Sequence, residues 1–279
     1  MLTDFIESVR EKKPVIHCIT NYVTVNDCAN VLLACGASPI MADAPEDAAD
    51  IAALADGLVI NIGTLNQQKL EAMLIAGRTA NSLGKPVVLD PVGAGASKAR
   101  TDAALRLISE IEFTVIRGNS SEIKTLALGS AGSRGVDADL ADAVAEADLP
   151  AAAAFAKRFA SQTGAVIAIT GAIDVIADAE RAAAVYNGDP MLRRITGAGC
   201  MTSCLCAAFA AAQPEEPLAA AIAAIGSMGI CGELAKERMV MPDGNASFRN
   251  YLIDAVYNMD PAFNFGSSVF DDRLRFRWI

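Results

Sequence analysis

The sequence of 279 residues has few basic side chains, few aromatic residues and a single histidine. Lysine and arginine number 23 against 33 aspartates and glutamates, which gives a net charge of -10. This balance argues against general binding to nucleic acids or to anionic membranes, because both attract basic proteins. The histidine, His17, stands in a predicted strand, and a lone histidine there is more often structural than a ligand. These shortages favour a protein that acts on small molecules.

The sequence also lacks a recognisable membrane span or secretory signal. The longest apolar run, Ala198 to Ala212, is too short to cross a bilayer and contains Thr202 and Ser203. Residues 1–14 are charged and have no hydrophobic centre. The seven cysteines, an odd number in apolar surroundings, indicate reduced thiols and not a disulfide framework. We therefore expect a cytoplasmic protein.

Short β-branched segments alternate with longer helical patterns along most of the chain. This alternation is typical of a mainly parallel sheet with helices on both faces. The predicted strands are Val15–Thr20, Ser38–Met41, Leu58–Ile62, Pro86–Asp90, Phe113–Arg117 and Val166–Thr170. The predicted helices are Val25–Cys35, Glu46–Ala55, Asn66–Leu83, Ala99–Glu110, Ser121–Ala127 and Ala151–Ser161. We expect a single α/β domain over residues 1–279.

The alternation ends near Gly171. Two segments, Ala172–Ala177 and Ala182–Tyr186, predict a hairpin that adds an antiparallel edge to the sheet. Residues 129–148 are predicted to form a surface loop with a short helix. The last predicted helices lie near residues 200–212, 217–238 and 246–258. The aromatic tail after Met259 is expected to be loop-like and to pack on the body or on a neighbouring subunit.

Two carboxylates stand where predicted strands lead into loops, the usual place for ligands in open parallel sheets. Asp90 ends a buried strand and is followed by Pro-Val-Gly-Ala-Gly, and Glu122 lies in the first turn of the helix after Arg117. A carboxylate beside a polyphosphate requires a metal, so the pair indicates Mg²⁺. The alternatives are that Asp90 caps its loop and that Glu122 completes a capping box beside a surface arginine.

Four further residues at strand ends have side chains suited to substrates. Arg117 can meet phosphate oxygens, and the hydroxyl of Thr170 can contact a nucleotide phosphate, although a strand end explains Thr170 equally well. Asn21 can bind a small polar heterocycle after the first strand. Met41 carries a thioether that can pack on a flat ring, or it is an ordinary core residue.

A glycine-rich loop precedes the apolar run at residue 198. The sequence Thr-Gly-Ala-Gly-Cys (196–200) predicts a tight loop at the N-terminus of a buried helix. Amide groups there suit an anion, and Gly197 and Gly199 let the backbone approach it closely. Cys200 lies in the first turn, which favours a thiolate, whereas phosphate charge opposes one. The alternative is a helix start with small residues chosen for packing. Cys204 and Cys206 fit no metal-site spacing and are expected in the core.

Taken together, several segments resemble the hydroxyethylthiazole kinase family of the ribokinase-like superfamily. These segments are HCITNYV (17–23), SPIM (38–41), DPVGAGA (90–96), RGNSSEI (117–123), ITG (169–171) and TGAGC (196–200). The resemblance implies a three-layer α/β sandwich that transfers the γ-phosphoryl group of ATP to 4-methyl-5-(2-hydroxyethyl)thiazole in thiamine salvage. It also implies a homotrimer with sites between subunits.

The resemblance assigns a role to each of the candidate residues. Met41, with Asn21 beside it, is expected to contact the thiazole, and Gly197 to approach the alcohol. Arg117 and Thr170 are expected on ATP, and Asp90 and Glu122 at Mg²⁺. The Gly197 and Gly199 amides are expected to surround the transferred group. Superfamily relatives carry an aspartate base at the position of Cys200, so Cys200 is expected beside the substrate hydroxyl.

Other functions stay open at this point. A related kinase for hydroxymethylpyrimidine or a sugar, and a nucleotide-dependent dehydratase, would use the same fold. A non-catalytic nucleotide or thiazole sensor would not need a base near the alcohol. A nicotinamide-dependent dehydrogenase is disfavoured, because no G-x-G-x-x-G follows the first strand.

Overall fold

The computed structural model describes residues 2–130, 144–259 and 268–279, and in these ranges nine strands form one sheet. The strands run β2-β1-β3-β4-β5-β6-β7-β8-β9 across the sheet. Pairs from β2 to β6 are parallel, and pairs from β6 to β9 are antiparallel. The strands are β1 (Val15–Ile19), β2 (Ser38–Ile40), β3 (Gly57–Asn61), β4 (Val87–Asp90), β5 (Val115–Asn119), β6 (Val166–Thr170), β7 (Asp174–Ala177), β8 (Ala182–Val185) and β9 (Phe276–Trp278).

Helices cover both faces of this sheet, as the alternation predicts. They are α1 (Leu2–Lys12), α2 (Val25–Cys35), α3 (Ala48–Leu54), α4 (Gln67–Ser82), α5 (Lys98–Glu110), α6 (Ser120–Ser130), α7 (Leu149–Thr163), α8 (Ala198–Ala212), α9 (Pro217–Arg238), α10 (Asn245–Tyr257) and α11 (Ser268–Arg273). Short 3₁₀ turns span Glu146–Asp148 and Pro190–Arg194. The predicted mainly parallel α/β sandwich is confirmed.

Two apolar clusters, one on each face, hold the layers together. One cluster joins the sheet to α1, α2, α8, α9 and α10, and the other joins it to α3 through α7. The middle strands are buried on both faces, which explains their continuous apolar sequences. Among the described residues, α9 is the one helix long and apolar enough to cross a membrane, and 83% of its apolar window is buried inside the protein. Packing in the core explains its composition.

The main differences from the predicted elements lie at the two ends of the chain. The described part of the tail, residues 268–279, is not loop-like: it forms α11 and β9, and β9 pairs with β8. The predicted antiparallel hairpin, β7 and β8, is present, and β9 extends this antiparallel edge of the sheet by one strand. At the other end, Leu2, Phe5, Ile6 and Val9 bury one face of α1, a helix that the sequence analysis did not predict. The spacing of these apolar residues by three or four positions is a sequence signal for an amphipathic helix.

Inside the chain most predicted elements are present with shifted ends. The hairpin strands are shorter than predicted, and β5 begins and ends two residues later. Helix α6 extends to Ser130, so the predicted loop at 129–148 begins within a helix. Its predicted short helix corresponds to the 3₁₀ turn at Glu146–Asp148, and residues 131–143 lie outside the described ranges.

Candidate active site

Two cavities open at the carboxyl ends of the parallel strands and meet at Arg117, Asn119 and Gly199. The smaller cavity, about 360 Å³, is lined by residues that follow β1, β3, β4 and β5 and by the start of α8. The larger, about 900 Å³, lies between the ends of β5 and β6, the segment after β8, α8 and α9. Seven predicted residues line the smaller cavity: Asn21, Asp90, Arg117, Glu122, Gly197, Gly199 and Cys200.

The glycine-rich loop has the geometry that the sequence predicts. Gly197 immediately precedes α8 with a φ of 89°, in the left-handed region that favours glycine. A Cβ atom there would lie 2.8 Å from the Thr24 side chain. At Gly199 a Cβ atom would lie 2.4 Å from Nη1 of Arg117. Backbone conformation and space therefore both favour glycine at residue 197, whereas a side chain at residue 199 would displace the Arg117 guanidinium. The first turn of α8 faces both cavities.

Buried hydrogen bonds connect the strand ends around Cys200. Asn61 lies at the end of β3 and is fully buried. Its Nδ2 donates to Asp90 Oδ2 (2.8 Å) and to Cys200 Sγ (3.2 Å), while its Oδ1 accepts from Asn21 Nδ2 at 3.1 Å. Asn21 Nδ2 also donates to Cys200 Sγ at 3.2 Å. Because each amide has partners on separate elements, the network fixes the relative positions of β1, β3, β4 and α8.

Cys200 is a buried thiol, not the thiolate that a helix terminus alone would favour. Its side chain is 8% exposed and lines the smaller cavity. Burial, and next the Asp90 carboxylate, raise the pKa of Cys200 to about 11. The expectation that the first turn favours a thiolate is therefore wrong here, because desolvation outweighs the helix terminus.

Asp90 presents one occupied and one unpaired oxygen. Oδ2 accepts from Asn61 and from Ser203 Oγ (3.0 Å), whereas Oδ1 is buried and has no hydrogen-bond partner among the described residues. Nη1 of Arg117 lies 3.8 Å from Oδ1. Burial raises the pKa of Asp90 to about 6, although Arg117 opposes this shift and Glu122 adds to it. A buried carboxylate oxygen without a hydrogen bond is costly, and the raised pKa indicates that the Arg117 charge offsets only part of that cost.

Glu122 forms the capping box that the sequence analysis kept as an alternative. Its Oε2 accepts from the Asn119 amide and its own amide donates to Asn119 Oδ1, each at 2.9 Å. Its Oε1 accepts from the Gly93 amide at 2.8 Å, which joins the loops after β4 and β5. The same alternative described Arg117 as a surface residue, and this part is wrong, because the Arg117 side chain is only 15% exposed.

Arg117 and Thr170, both expected to contact ATP, line the larger cavity together. Nη2 of Arg117 donates to Thr170 Oγ1 at 2.6 Å, across the ends of β5 and β6. Asp174 lines the same cavity, and its Oδ1 accepts from the Gly171 amide at 2.8 Å. Burial raises the pKa of Asp174 to about 7, and the Gly171 hydrogen bond and Arg117 oppose that shift.

Four residues discussed in the sequence analysis lie away from the two cavities. Met41 follows the outermost strand, β2, is partly buried against the core, and lines neither cavity. His17 is buried in β1 with Nε2 2.8 Å from the Ala42 carbonyl, which confirms a structural role. Cys204 is fully buried in the core, as is Cys206, which confirms that prediction.

Sequence reasoning missed three polar residues that shape the smaller cavity. Asn61 ends a strand, the same signal that identified Asp90. Ser203 stands inside an apolar run, so no sequence signal marked it. Arg100 lies on α5 and donates to the carbonyls of Ile62 (3.1 Å), Gly63 (2.8 Å) and Val92 (2.9 Å). It thus joins the loops after β3 and β4, both of which line the cavity.

Comparison with known proteins first defines the class of fold. A ribokinase-like superfamily protein from Enterococcus faecalis superimposes with a TM-score of 0.56 at 14% identity, over 91% of this chain and 93% of that chain. At this identity the likeness shows the fold alone. The chain therefore has the ribokinase-like fold, which confirms the fold predicted from the resemblance.

Sequence comparison then identifies the family. The model of the "Hydroxyethylthiazole kinase family" matches residues 6–262. The hydroxyethylthiazole kinase of Clostridium acetobutylicum is 56% identical over 260 residues, which is 93% of this chain and 95% of that protein. The structure of a hydroxyethylthiazole kinase protein from Pyrococcus horikoshii is 38% identical with a TM-score of 0.86, over 100% of this chain and 98% of that one. The chain belongs to the hydroxyethylthiazole kinase family.

Proposed function

We propose that this protein phosphorylates the hydroxyl group of 4-methyl-5-(2-hydroxyethyl)thiazole with ATP, as a step of thiamine salvage. The observation that carries the proposal is the meeting of two cavities at Arg117 and Gly199, with Asp90 and Cys200 on the smaller side. The smaller cavity suits a compact heterocyclic alcohol, and the larger suits a nucleotide. Phosphoryl transfer requires mainly in-line placement and neutralisation of charge, and such a junction provides both.

On the nucleotide side, the chain supplies cationic and amide donors. Arg117, oriented by Thr170, faces both cavities and suits the oxygens of a transferred phosphoryl group. The first turn of α8, which begins at Ala198, presents amide groups and the positive end of the helix dipole to the same region. These donors stabilise negative charge that develops between the two substrates.

The residues present fit a divalent cation held with the help of phosphates and water. Among the described residues, no group of three or more His, Cys, Asp or Glu side chains is placed to hold a metal alone. Mg²⁺ commonly binds through one or two carboxylates together with phosphates and waters. The unpaired Oδ1 of Asp90 suits direct or water-mediated contact. Both oxygens of Glu122 already accept backbone amides, so Glu122 suits contact through water. The ion would neutralise phosphate charge.

On the alcohol side, Cys200 lies where a proton acceptor for the hydroxyl is needed. With a pKa raised to about 11, the thiol stays protonated at neutral pH and does not readily accept a proton, so its main contribution is to position the hydroxyl. Asn21 lines the same cavity and offers its side-chain amide to the thiazole. Asp90 has a pKa near 6 and lies in the same network, so its carboxylate is ionised at neutral pH.

A homotrimer with sites between subunits would account for the position of Met41. Met41 does not line the cavity of its own subunit, but it follows the outermost strand. There it is available to complete the cavity of a neighbour. Val23 lines the smaller cavity and is 66% exposed, which leaves that side open to a second chain. Light scattering would measure the mass, and a monomer would refute this arrangement. We further propose a single domain and a cytoplasmic location.

The test is ADP release by the purified protein with Mg²⁺ and ATP. Four conditions are compared: hydroxyethylthiazole, hydroxymethylpyrimidine, ribose and no acceptor. We expect ADP release with hydroxyethylthiazole alone, together with a phosphorylated thiazole product identified by mass spectrometry. Turnover with another alcohol would refute hydroxyethylthiazole as the substrate, but it would be consistent with the proposed phosphate site. Nucleotide binding without acceptor-dependent turnover would favour the dehydratase or the sensor.

A further inference from the structure

The C-terminal tail lies directly behind the wall of the larger cavity. Strand β9 pairs with β8 from Ala183 opposite Trp278 to Val185 opposite Phe276. The pairing continues past β8, because the Tyr186 amide donates to the Arg275 carbonyl at 2.9 Å. The next residues, 187–190, line the larger cavity. The tail is thus paired with residues 183–186, which lead directly into the segment 187–190 that forms a wall of the larger cavity.

Asn187 joins the tail to that wall. Its side chain is buried, with 6% of the residue exposed. Nδ2 donates to the Arg273 carbonyl at 2.9 Å, and Oδ1 accepts from the Arg275 amide at 2.7 Å. One amide side chain therefore satisfies two tail backbone groups while its own residue lines the cavity.

Glu233 of α9 makes a second connection. Its Oε1 accepts from the Gly188 amide at 2.8 Å and from Arg275 Nη2, and Arg275 Nη2 also donates to the Tyr186 carbonyl at 3.1 Å. Glu233 is not among the residues that line the cavity. It therefore holds the wall from behind and does not face a bound ligand.

Three glycines on α9 bring these segments close to the helix. Gly226, Gly229 and Gly232 are three residues apart and share one face of the helix. A Cβ atom on Gly226 would lie 2.3 Å from Leu274 Cδ1, and one on Gly229 would lie 2.7 Å from the backbone of Asn187. One on Gly232 would lie 2.9 Å from Cδ1 of Leu192, which lines the cavity. The tail and the wall thus rest on the same helix face.

We propose that the tail, through the backbone of Arg273 and Arg275 and the side chain of Arg275, is a positioning element for the larger cavity, on which it acts through Asn187 and Glu233. The proposal rests on the proposed function in taking a nucleotide as the occupant of that cavity. Because the tail already holds residues 187–190 in place, these residues lose less conformational entropy when the nucleotide binds. Loss of the connection should therefore weaken nucleotide binding and leave the chemical step and the alcohol site unchanged.

The chain offers a matched pair of variants and controls. Glu233→Ala and Arg275→Ala break the connection to the wall. Glu237→Ala and Arg273→Ala break an ion pair between the same tail and the same helix one turn further on, where Arg273 Nη1 lies 3.1 Å from Glu237 Oε1. Neither control residue is among those lining the larger cavity. Arg275→Lys keeps the charge and should retain most of the wild-type affinity for ATP.

Steady-state kinetics give the first readout. We expect Glu233→Ala and Arg275→Ala to raise the KM for ATP roughly five- to tenfold, since each removes a charged hydrogen-bond partner behind the wall. The kcat and the KM for the alcohol should stay within about twofold, as should every constant of the two controls. Equal KM values for ATP in all four variants would overturn the proposal, and so would a fall in kcat alone.

Hydrogen exchange of the ligand-free protein gives a second readout that needs no turnover. The Gly188 amide donates to Glu233, so exchange in a peptide that covers residues 186–190 should be roughly tenfold faster in Glu233→Ala than in Glu237→Ala. Equal exchange in both variants would overturn the positioning role. Absence of turnover in the wild-type protein would refute only the proposed function, because this comparison would still decide the positioning role.

Discussion

The two cavities are built in different ways, although they share Arg117 and Gly199. The smaller one is held by buried hydrogen bonds between side chains at strand ends, with Asn61 bonded to Asp90, Cys200 and Asn21. The larger one is held partly by a C-terminal tail and by ion pairs that are half exposed, such as Arg275 with Glu233. Exposed pairs contribute about 0–1 kcal/mol, whereas an unpaired buried polar group costs about 1–3 kcal/mol.

This difference indicates how each region tolerates change. The smaller cavity should lose function abruptly when one buried partner is replaced, since every partner has bonds on several elements. The larger cavity should respond gradually, mainly through affinity. The predictions below test that contrast, from the largest expected effect to the smallest.

Asp90→Asn should have the largest effect. We expect kcat to fall by about 10²-fold or more, because the carboxylate faces the junction where phosphate charge must be neutralised. The matched control is Asp102→Asn, which changes an exposed carboxylate paired with Lys98. Turnover within about tenfold of wild type would contradict the role of Asp90 at the phosphate site.

The same variant should gain stability relative to the wild-type protein as pH rises. The folded pKa of Asp90, about 6, lies above the ordinary aspartate value of 3.8, so ionisation of Asp90 costs stability that is intact below pH 4 and lost as pH rises to 6. The loss amounts to about 3 kcal/mol. Without Mg²⁺, the Tm of Asp90→Asn relative to wild type should therefore be higher at pH 8 than at pH 4. An equal difference at both pH values would contradict the raised pKa.

Asn61→Asp tests the network itself. The change keeps the shape and the oxygen that accepts from Asn21 and Gly63, but it removes the donor to Asp90 and Cys200. We expect kcat to fall roughly 10- to 100-fold, because two carboxyl groups then compete for one proton. Asn66→Asp, which retains a helix cap, is the control. Comparable turnover in both variants would show that the donor is dispensable.

Cys200 variants separate basicity from position. Cys200→Asp should keep or raise kcat, because a carboxylate is ionised at neutral pH and can accept a proton, whereas a thiol whose pKa is about 11 is almost entirely protonated there. Cys200→Ser should lower kcat by several-fold if basicity contributes. Unchanged turnover in the serine variant would mean that positioning suffices. A folded aspartate variant with no turnover would eliminate the basicity argument.

Arg100→Met should loosen the smaller cavity without touching the reacting groups. Three carbonyl partners in the loops after β3 and β4 would be lost, so we expect the KM for the alcohol to rise about fivefold. Arg106→Met on the same helix removes an exposed partner of Glu110 and serves as the control. The two variants should differ in the KM for the alcohol more than in kcat, and identical constants would contradict this.

Thr170→Val should have the smallest effect. It removes the hydroxyl that accepts from Arg117, and Arg117 keeps its proximity to Asp90. We expect the KM for ATP to rise about two- to threefold with little change in kcat. Calorimetric titration with ADP would measure the same loss directly, and Thr163→Val, at the far end of α7, is the control. A tenfold loss would show that Thr170 contacts the nucleotide more closely than proposed.

Much of the site was predictable because strand ends in parallel sheets converge. Asp90, Arg117 and Thr170 each end or nearly end a strand, and the register of β4, β5 and β6 places them at one edge. Ser203 was not predictable, since nothing in an apolar helix marks which residue faces a carboxylate. The tail was not predictable either, because its pairing with β8 joins residues about 90 positions apart.

The sequence by itself determined the layered α/β fold, the polar residues at the strand ends and the glycine-rich turn before α8. These follow from local patterns: alternation of apolar segments, a carboxylate at a strand end, and glycines where the backbone must turn or approach closely. Only the tertiary structure decided the state of those groups. Burial keeps Cys200 a thiol and raises the pKa of Asp90, and packing on α9 places the tail behind the larger cavity. Desolvation and long-range pairing depend on neighbours that are distant in sequence, so no local pattern encodes them.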